Sequence, residues 1–327
     1  MLKKRIFALI LVMALVFTSF TGCAKGKNVE TQGVVGKETI SGDGNKENPS
    51  ESETQSETEQ ETKPAETNAP TIGSIEAGTY TVNDPNNTRG LATTAYGFSF
   101  GAARNEKPHQ ITIDNQKRFD SLPDVKALAW DSKTEEKVLY LTFDCGYEYN
   151  DNTTKVLNIL KEKNVKAAFF CTLPYIKDNP AKVERMILEG HIVGNHSTTH
   201  PVFTDISRTK MAEELFGVQS ELRTKFGYTT KYFRFPTGKN SDNSLELVTS
   251  QGYRSIFWSI AYKDYDTANQ LGEDVAFKTV TDRLHPGAVI LLHIVSNDNA
   301  NILARFIDYA QSKGYTFKTL DDYYENN

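Results

Sequence analysis

The chain has 327 residues, a net charge of −5 and 38% apolar content, enough for one large folded domain plus accessory segments. With 37 basic against 42 acidic residues and no stripe of Lys and Arg, the composition excludes nucleic acid as a natural partner. Three cysteines exclude a disulfide-built scaffold.

At the N-terminus, Lys3, Lys4 and Arg5 precede an apolar run over residues 6–17, too short for a membrane span and followed by no stop-transfer charges. Phe20-Thr21-Gly22-Cys23 resembles a bacterial lipobox, with Phe20 in place of the usual Leu. Residues 1–23 therefore read as a lipoprotein signal peptide, with lipid on Cys23 tethering the mature chain to the outer face of the cytoplasmic membrane. Residues 24–72 carry five Lys against ten Asp or Glu. The whole polar stretch 24–75 cannot bury enough apolar surface to offset its ordering entropy and reads as a disordered spacer. Residues 90–135 read as an N-terminal arm, in which Thr94-Ala95-Tyr96-Gly97-Phe98-Ser99-Phe100 alternates like an edge strand.

A strand–helix rhythm fills residues 136–327. Strands are predicted at 138–143, 166–171, 191–194, 230–233, 254–258, 288–292 and 315–318. Helices are predicted at 152–163, 180–189, 209–226, 244–250, 275–284 and 302–313. Seven alternating units define an α/β protein with parallel pairing. Periodicity alone admits an open sheet or a barrel, but no Gly-rich phosphate loop follows any strand, and the reading adopted is an incomplete (β/α)7 barrel.

Candidate chemistry falls at the C-terminal ends of these strands, where such folds build sites. Asp144, in Thr142-Phe143-Asp144-Cys145-Gly146, is placed to act as a general base. In His196-Ser197-Thr198-Thr199-His200 the two imidazoles are four apart between Asn195 and Pro201, so they belong to a loop rather than a metalloprotease helix. They are candidate ligands for a divalent metal, Zn²⁺ first and Co²⁺, Mn²⁺ or Mg²⁺ as alternatives. Arg234, in Arg234-Phe235-Pro236-Thr237-Gly238, is a candidate partner that keeps Asp144 ionised. His293, after Val289-Ile290-Leu291-Leu292, is a candidate acid for a leaving amine, and Asp264 a candidate to orient it. Cys171 and Cys145 end neighbouring strands, but adjacent parallel strands rarely place two cysteines at the Cβ separation a bridge needs.

These five ordered motifs resemble the polysaccharide deacetylase (NodB homology) domain, carbohydrate esterase family four, over about residues 135–320. The family's Thr-Phe-Asp-Asp-Gly, His-Ser/Thr-x-x-His, Arg-Pro-Pro-Tyr-Gly, Asp-Trp and Leu-x-His are matched with Cys145, Phe235, Thr237 and Tyr265 as departures. The resemblance implies a barrel, a divalent metal, Asp144 as base, His293 as acid, and oxyanion donation by the Thr237 backbone N–H. Tyr147, Trp258 and Tyr265 are expected to contact the glycan. Residues 142–148, 257–262 and 285–299 further resemble the delta-lactam-forming muramic acid deacetylases (PdaA type) of spore-forming bacteria, whose substrate is N-acetylmuramic acid in peptide-stripped peptidoglycan.

Cys145 stands where the family carries a second Asp. Its thiolate could ligate Zn²⁺ directly, the two His could hold the metal with water filling the gap, or the thiol could be a small buried residue in a domain without turnover. The alternative functions are N-acetylglucosamine or chitooligosaccharide deacetylation, O-deacetylation, and non-catalytic wall binding by a lipoprotein. A monomer with peptidoglycan strands and the membrane as partners is expected.

Overall fold

The computed structural model describes residues 80–325; the expected signal peptide, Cys23 and the spacer lie outside the described residues. In chain order the elements are α1 (Gln110–Asp120), β1 (Ala127–Leu128), β2 (Val138–Cys145), α2 (Asn152–Glu162), β3 (Ala168–Cys171), α3 (Leu173–Asp178), α4 (Pro180–Leu188), β4 (Ile192–Asn195), α5 (Arg208–Phe226) and β5 (Tyr232–Phe233). They continue with α6 (Asp242–Ser250), β6 (Arg254–Ile256), α7 (Glu273–Thr281), β7 (Ala288–His293), α8 (Asn297–Ser312), β8 (Thr316–Phe317) and α9 (Leu320–Glu325).

The sheet runs β1-β6-β5-β4-β3-β2-β7, with β8 beside β2, and its strand pairs are parallel. Its two ends meet where Ile260 bridges Ile290 in parallel and the Asp131 N–H donates to the Gly287 carbonyl at 3.0 Å. This is the α/β, incomplete (β/α)7 barrel that the sequence predicts. The added β1 is two residues long.

Strand β2 explains the layering. All eight of its residues are buried, so both faces are covered, as in sheets wrapped by crossover helices. Period-two alternation sends Val138 and Tyr140 inward to meet Ala168, Phe170, Ile192, Tyr232 and Val289. The other set, Leu139, Leu141, Phe143 and Cys145, faces outward into a layer with Leu157 and Leu160 of α2, Tyr175 of α3 and Phe306 of α8. Each large apolar side chain buried this way contributes roughly 1.5–3 kcal/mol before entropy is charged against it.

The segment predicted as an edge strand or arm makes one antiparallel bridge, Tyr96 to Asn240. Beyond it Phe98 packs on Phe257 and Trp258, with ring centroids 4.7 and 4.9 Å apart. Helix α1 holds this segment through polar side chains, Thr112 Oγ1 donating to the Phe100 carbonyl and Asn115 Nδ2 to that of Ser99.

Candidate active site

Alternation along β2 puts Asp144 on the inner face, one step beyond Thr142, at the barrel mouth. In the β2–β7 register Asp144 is paired with His293, so the expected base and acid stand side by side on neighbouring strands. They open into a groove of about 1140 Å³ whose walls include Tyr147, His196, His200, Thr237, Trp258 and Tyr265.

Asp144 is almost fully buried. Its Oδ1 accepts from Arg234 Nη1 at 2.8 Å, and its Oδ2 is 3.5 Å from His196 Nε2. Burial alone would push this carboxyl up, but the Arg234 charge, with His196 and His293, holds it below the ordinary carboxylate value. Arg234 is itself completely buried. It donates through Nε to the Ile256 carbonyl and through Nη2 to that of Phe257, and lies 4.2 Å over the Phe170 ring. Every edge of the guanidinium is thus engaged, which fixes the carboxylate it pairs with.

In the loop that follows β6, Asp264 Oδ1 accepts from His293 Nδ1 at 2.6 Å, and Oδ2 accepts from the His293 backbone N–H and from Asn299 Nδ2. Tyr265 packs edge-on against the imidazole at 5.5 Å. Burial lowers the His293 pKa, but the Asp264 charge outweighs it and the net direction is upward from 6.5. The two pKa values are thus displaced in opposite directions, Asp144 toward its ionised form and His293 toward its protonated form.

His196 Nδ1 faces the Arg234 carbonyl at 2.9 Å. A carbonyl only accepts, so Nδ1 carries the proton and Nε2 presents a lone pair. That Nε2 is 3.2 Å from His200 Nε2. Burial holds His196 neutral, its pKa lowered to about 4, and lowers that of His200 too. The pair fits a divalent cation in tautomer, charge and convergence, and the bond to the Arg234 carbonyl is the kind of outer contact that orients metal-bound imidazoles. A third donor does not join it: among the described residues no group of three His, Cys, Asp or Glu converges on one point.

Cys145 does not supply that donor, which corrects the candidate thiolate ligand. The residue after Asp144 points to the opposite face of β2, where Cys145 is fully buried in the outer apolar layer. Burial, then its contact with Cys171, raises the thiol pKa well above its ordinary value, so the side chain stands in that layer as an uncharged thiol. Both cysteines are free thiols, although Cys145 and Cys171 are register partners.

Three non-glycine residues at the mouth adopt left-handed backbone: Ser197 (φ 72°), His200 (φ 58°) and Thr237 (φ 59°). Such conformations cost roughly 1 kcal/mol each or more and persist only where neighbours over-determine them. Glu214 of α5 is one such neighbour. Its carboxylate accepts from the Thr199 N–H at 2.7 Å and from Thr199 Oγ1 at 2.9 Å, and its backbone carbonyl accepts from Thr198 Oγ1. Sequence reasoning missed Glu214, Asn299 and Phe100, which lines the groove from the arm. Asn299 lay inside a motif-bearing segment and Phe100 at the end of the aromatic arm, whereas Glu214 lay in neither.

An α/β barrel whose mouth brings together a buried carboxylate, a carboxylate-bonded imidazole and a second pair of converging imidazoles has the make-up of a hydrolase site. The chain belongs to the polysaccharide deacetylase family: the family model named "Polysaccharide deacetylase" matches residues 131–256. The peptidoglycan-N-acetylmuramic acid deacetylase PdaA of Bacillus subtilis is 40% identical over 210 residues, covering 64% of this chain and 80% of that relative. The solved structure of that PdaA, described as a family 4 carbohydrate esterase, superposes with a TM-score of 0.66 at 35% identity, over 72% of this chain and 100% of the other. A peptidoglycan-N-acetylglucosamine deacetylase of Bacillus cereus is 28% identical over 205 residues, covering 62% of this chain and 73% of the relative.

Proposed function

We propose that this deacetylase removes the N-acetyl group from N-acetylmuramic acid in peptidoglycan whose stem peptide has been stripped, so that the free lactyl carboxylate can close a lactam onto the new amine. The observation that carries the reading is the Asp144–His293 pair across one register step, joined to the 40% identity with PdaA over 80% of its length. The N-acetylglucosamine alternative is supported by the weaker likeness to the Bacillus cereus enzyme.

In the proposed mechanism Asp144, kept ionised by Arg234, takes a proton from the water that attacks the acetyl carbonyl. The Thr237 backbone N–H, from a residue lining the same groove, donates to the oxygen as negative charge develops there. His293, protonated and aligned by Asp264, passes its proton to the departing amine as the carbon–nitrogen bond breaks, giving acetate and a free amino sugar. His196 and His200 are the proposed holders of a divalent ion, most plausibly Zn²⁺. Bound there, the ion would polarise the acetyl carbonyl and ease deprotonation of the attacking water. Tyr147 and Tyr265 are exposed at the rim, where flat sugar faces can stack on them.

The sequence of residues 1–23 supports an extracytoplasmic location with a lipid anchor at Cys23, and 24–75 a spacer reaching the glycan. Mass spectrometry of purified glycan treated with the enzyme tests the substrate. Loss of about 42 Da per acetyl group from peptide-free muramic acid, with glucosamine untouched, is the expected result; loss from glucosamine alone would replace it with the alternative.

A further inference from the structure

The groove continues past His293 into a smaller cavity of about 450 Å³, and Thr279 and Arg283 line both. Arg104, Lys278, Asp274 and Asp282 complete the charged lining of the second cavity. Its carboxylates are already committed: Asp274 is 3.2 Å from Arg305, and Asp282 is 2.5 Å from Lys278. Lys263, another cation on the groove wall, pairs with Asp266 at 3.4 Å. Arg283 donates through Nη1 to the Ala261 carbonyl at 2.6 Å, which anchors its guanidinium at the junction of the two cavities. Among the described residues neither Arg283 nor Arg104 has a carboxylate within ion-pair distance. Burial, and then the neighbouring Arg104 charge, lower the Arg283 pKa. Asp282 acts on Arg283 in the opposite direction, but it and Asp274 are paired with other cations, so an anion placed between the two guanidiniums relieves their mutual repulsion.

We infer that the Arg283–Arg104 junction is an anion subsite that takes the lactyl carboxylate of a muramic acid residue in the bound glycan. The inference rests on the muramic acid reading above and adds the side chains that read the carboxylate. Arg283 is the fixed member, since its Nη1 is held by the Ala261 carbonyl and its side chain lines both cavities. Arg104 is exposed and adds charge more than geometry. A glycan of N-acetylglucosamine alone presents no carboxylate to this junction, so the same two residues separate the two candidate substrates.

The test compares wild type, Arg283→Gln, Arg283→Lys and Arg104→Gln on peptide-free muramyl glycan, on the same glycan with its lactyl carboxylates converted to methylamides, and on chitotetraose. The readout is the ratio of kcat/KM on the free acid to that on the methylamide. Wild type is expected to favour the free acid, and Arg283→Gln to lower the ratio about 10- to 100-fold, as for loss of a charge-assisted hydrogen bond. The loss should fall mainly in KM, since the carboxylate is bound alike in ground and transition states. Arg283→Lys should recover part of the ratio, and raised ionic strength should lower it in wild type more than in Arg283→Gln. Because the readout is a ratio, a general loss of folded enzyme does not mimic the effect. A ratio that stays within twofold of wild type in Arg283→Gln overturns the subsite while the muramic acid reading stands. Turnover of chitotetraose with no acetate released from either muramyl glycan overturns the muramic acid reading, and the subsite with it.

Discussion

The His293–Asp264 pair offers the sharpest test of how this site works. In Asp264→Asn the shape is nearly kept, but the group accepting from His293 Nδ1 at 2.6 Å loses its charge. The Asp264 Oδ2 position must still accept from the His293 backbone N–H at 2.8 Å and from Asn299 Nδ2 at 2.6 Å. The amide oxygen of the variant therefore occupies it, and the amide NH₂ turns toward Nδ1. Imidazole Nδ1 then has to accept, the ring settles as the neutral Nε2–H tautomer, and the upward displacement of its pKa disappears. Burial, which acts downward, is then the largest influence left, with Asp144 still raising the pKa and Arg234 lowering it. A charge-assisted hydrogen bond is worth about 1.5–3 kcal/mol, and each 1.36 kcal/mol is tenfold in rate; with the lost protonated fraction, kcat/KM at neutral pH should fall about 10²- to 10³-fold. The sign in pH follows from the two displacements. Wild-type activity requires Asp144 ionised and His293 protonated, so its plateau extends from below the ordinary carboxylate value to above 6.5. In Asp264→Asn the alkaline limb should move to lower pH while the acid limb stays. Acetate release measured from pH 4 to 9 checks this, and an unmoved alkaline limb with kcat/KM within threefold of wild type would refute the assignment of His293 as acid.

Other substitutions separate neighbouring roles. Asp144→Asn should cut acetate release by about 10³-fold and leave Arg234 buried without its counter-charge, destabilising the domain by roughly 3 kcal/mol; thermal unfolding at unchanged temperature would contradict the pairing. Glu214→Ala removes the acceptors that brace Thr199, and Zn²⁺ affinity should drop about 10- to 100-fold in a chelator competition, whereas equal affinity would make Glu214 a mere packing residue. Cys145→Ala should leave Zn²⁺ affinity within about twofold and cost about 1 kcal/mol in urea unfolding; a loss of orders of magnitude in affinity would return the thiol to the metal.

The barrel was legible because buried parallel strands and amphipathic helices announce themselves by period, and seven strands were read within about two residues of their observed ends at most boundaries. What escaped had no such period. Helix α1 buries Thr112, Asn115 and Gln116, held through hydrogen bonds to backbone, so a search for an apolar stripe passes over it. Helix α3 is six residues long with Pro174 inside its first turn and depends on the Thr172 cap. Helix α8 starts at Asn297, earlier than its apolar stripe, because Ser296 Oγ accepts from the Asn299 N–H. In the site, Asp144, Arg234, Asp264 and His293 were named from sequence and are hydrogen-bonded as expected. Phe100 lies in the alternating segment read from sequence, but nothing local shows that it lines the groove, and Glu214 acts on the His loop from a helix remote in sequence, where no local pattern marks it.

Cys145 shows why motif position and site geometry must be argued apart. Matching Thr142 to Gly146 against the family pattern puts Cys145 in line for a metal, whereas β2 pairs with β3 through residue 145 and its pleat turns that side chain to the helix layer. The same pleat gives Asp144 the inner face, Arg234 and His293. One strand thus assigns adjacent residues opposite environments: the inner one is stabilised as a charge, the outer one as an uncharged thiol among Phe143, Tyr175 and Leu157. It follows that the ion, if two imidazoles hold it, leaves more of its coordination sphere to water and substrate than a three-ligand site would. Affinity for the metal then depends on the left-handed turn at Ser197 and His200, on the Glu214 brace behind it, and on the bond from His196 Nδ1 to the Arg234 carbonyl, which together fix the distance between the two imidazoles.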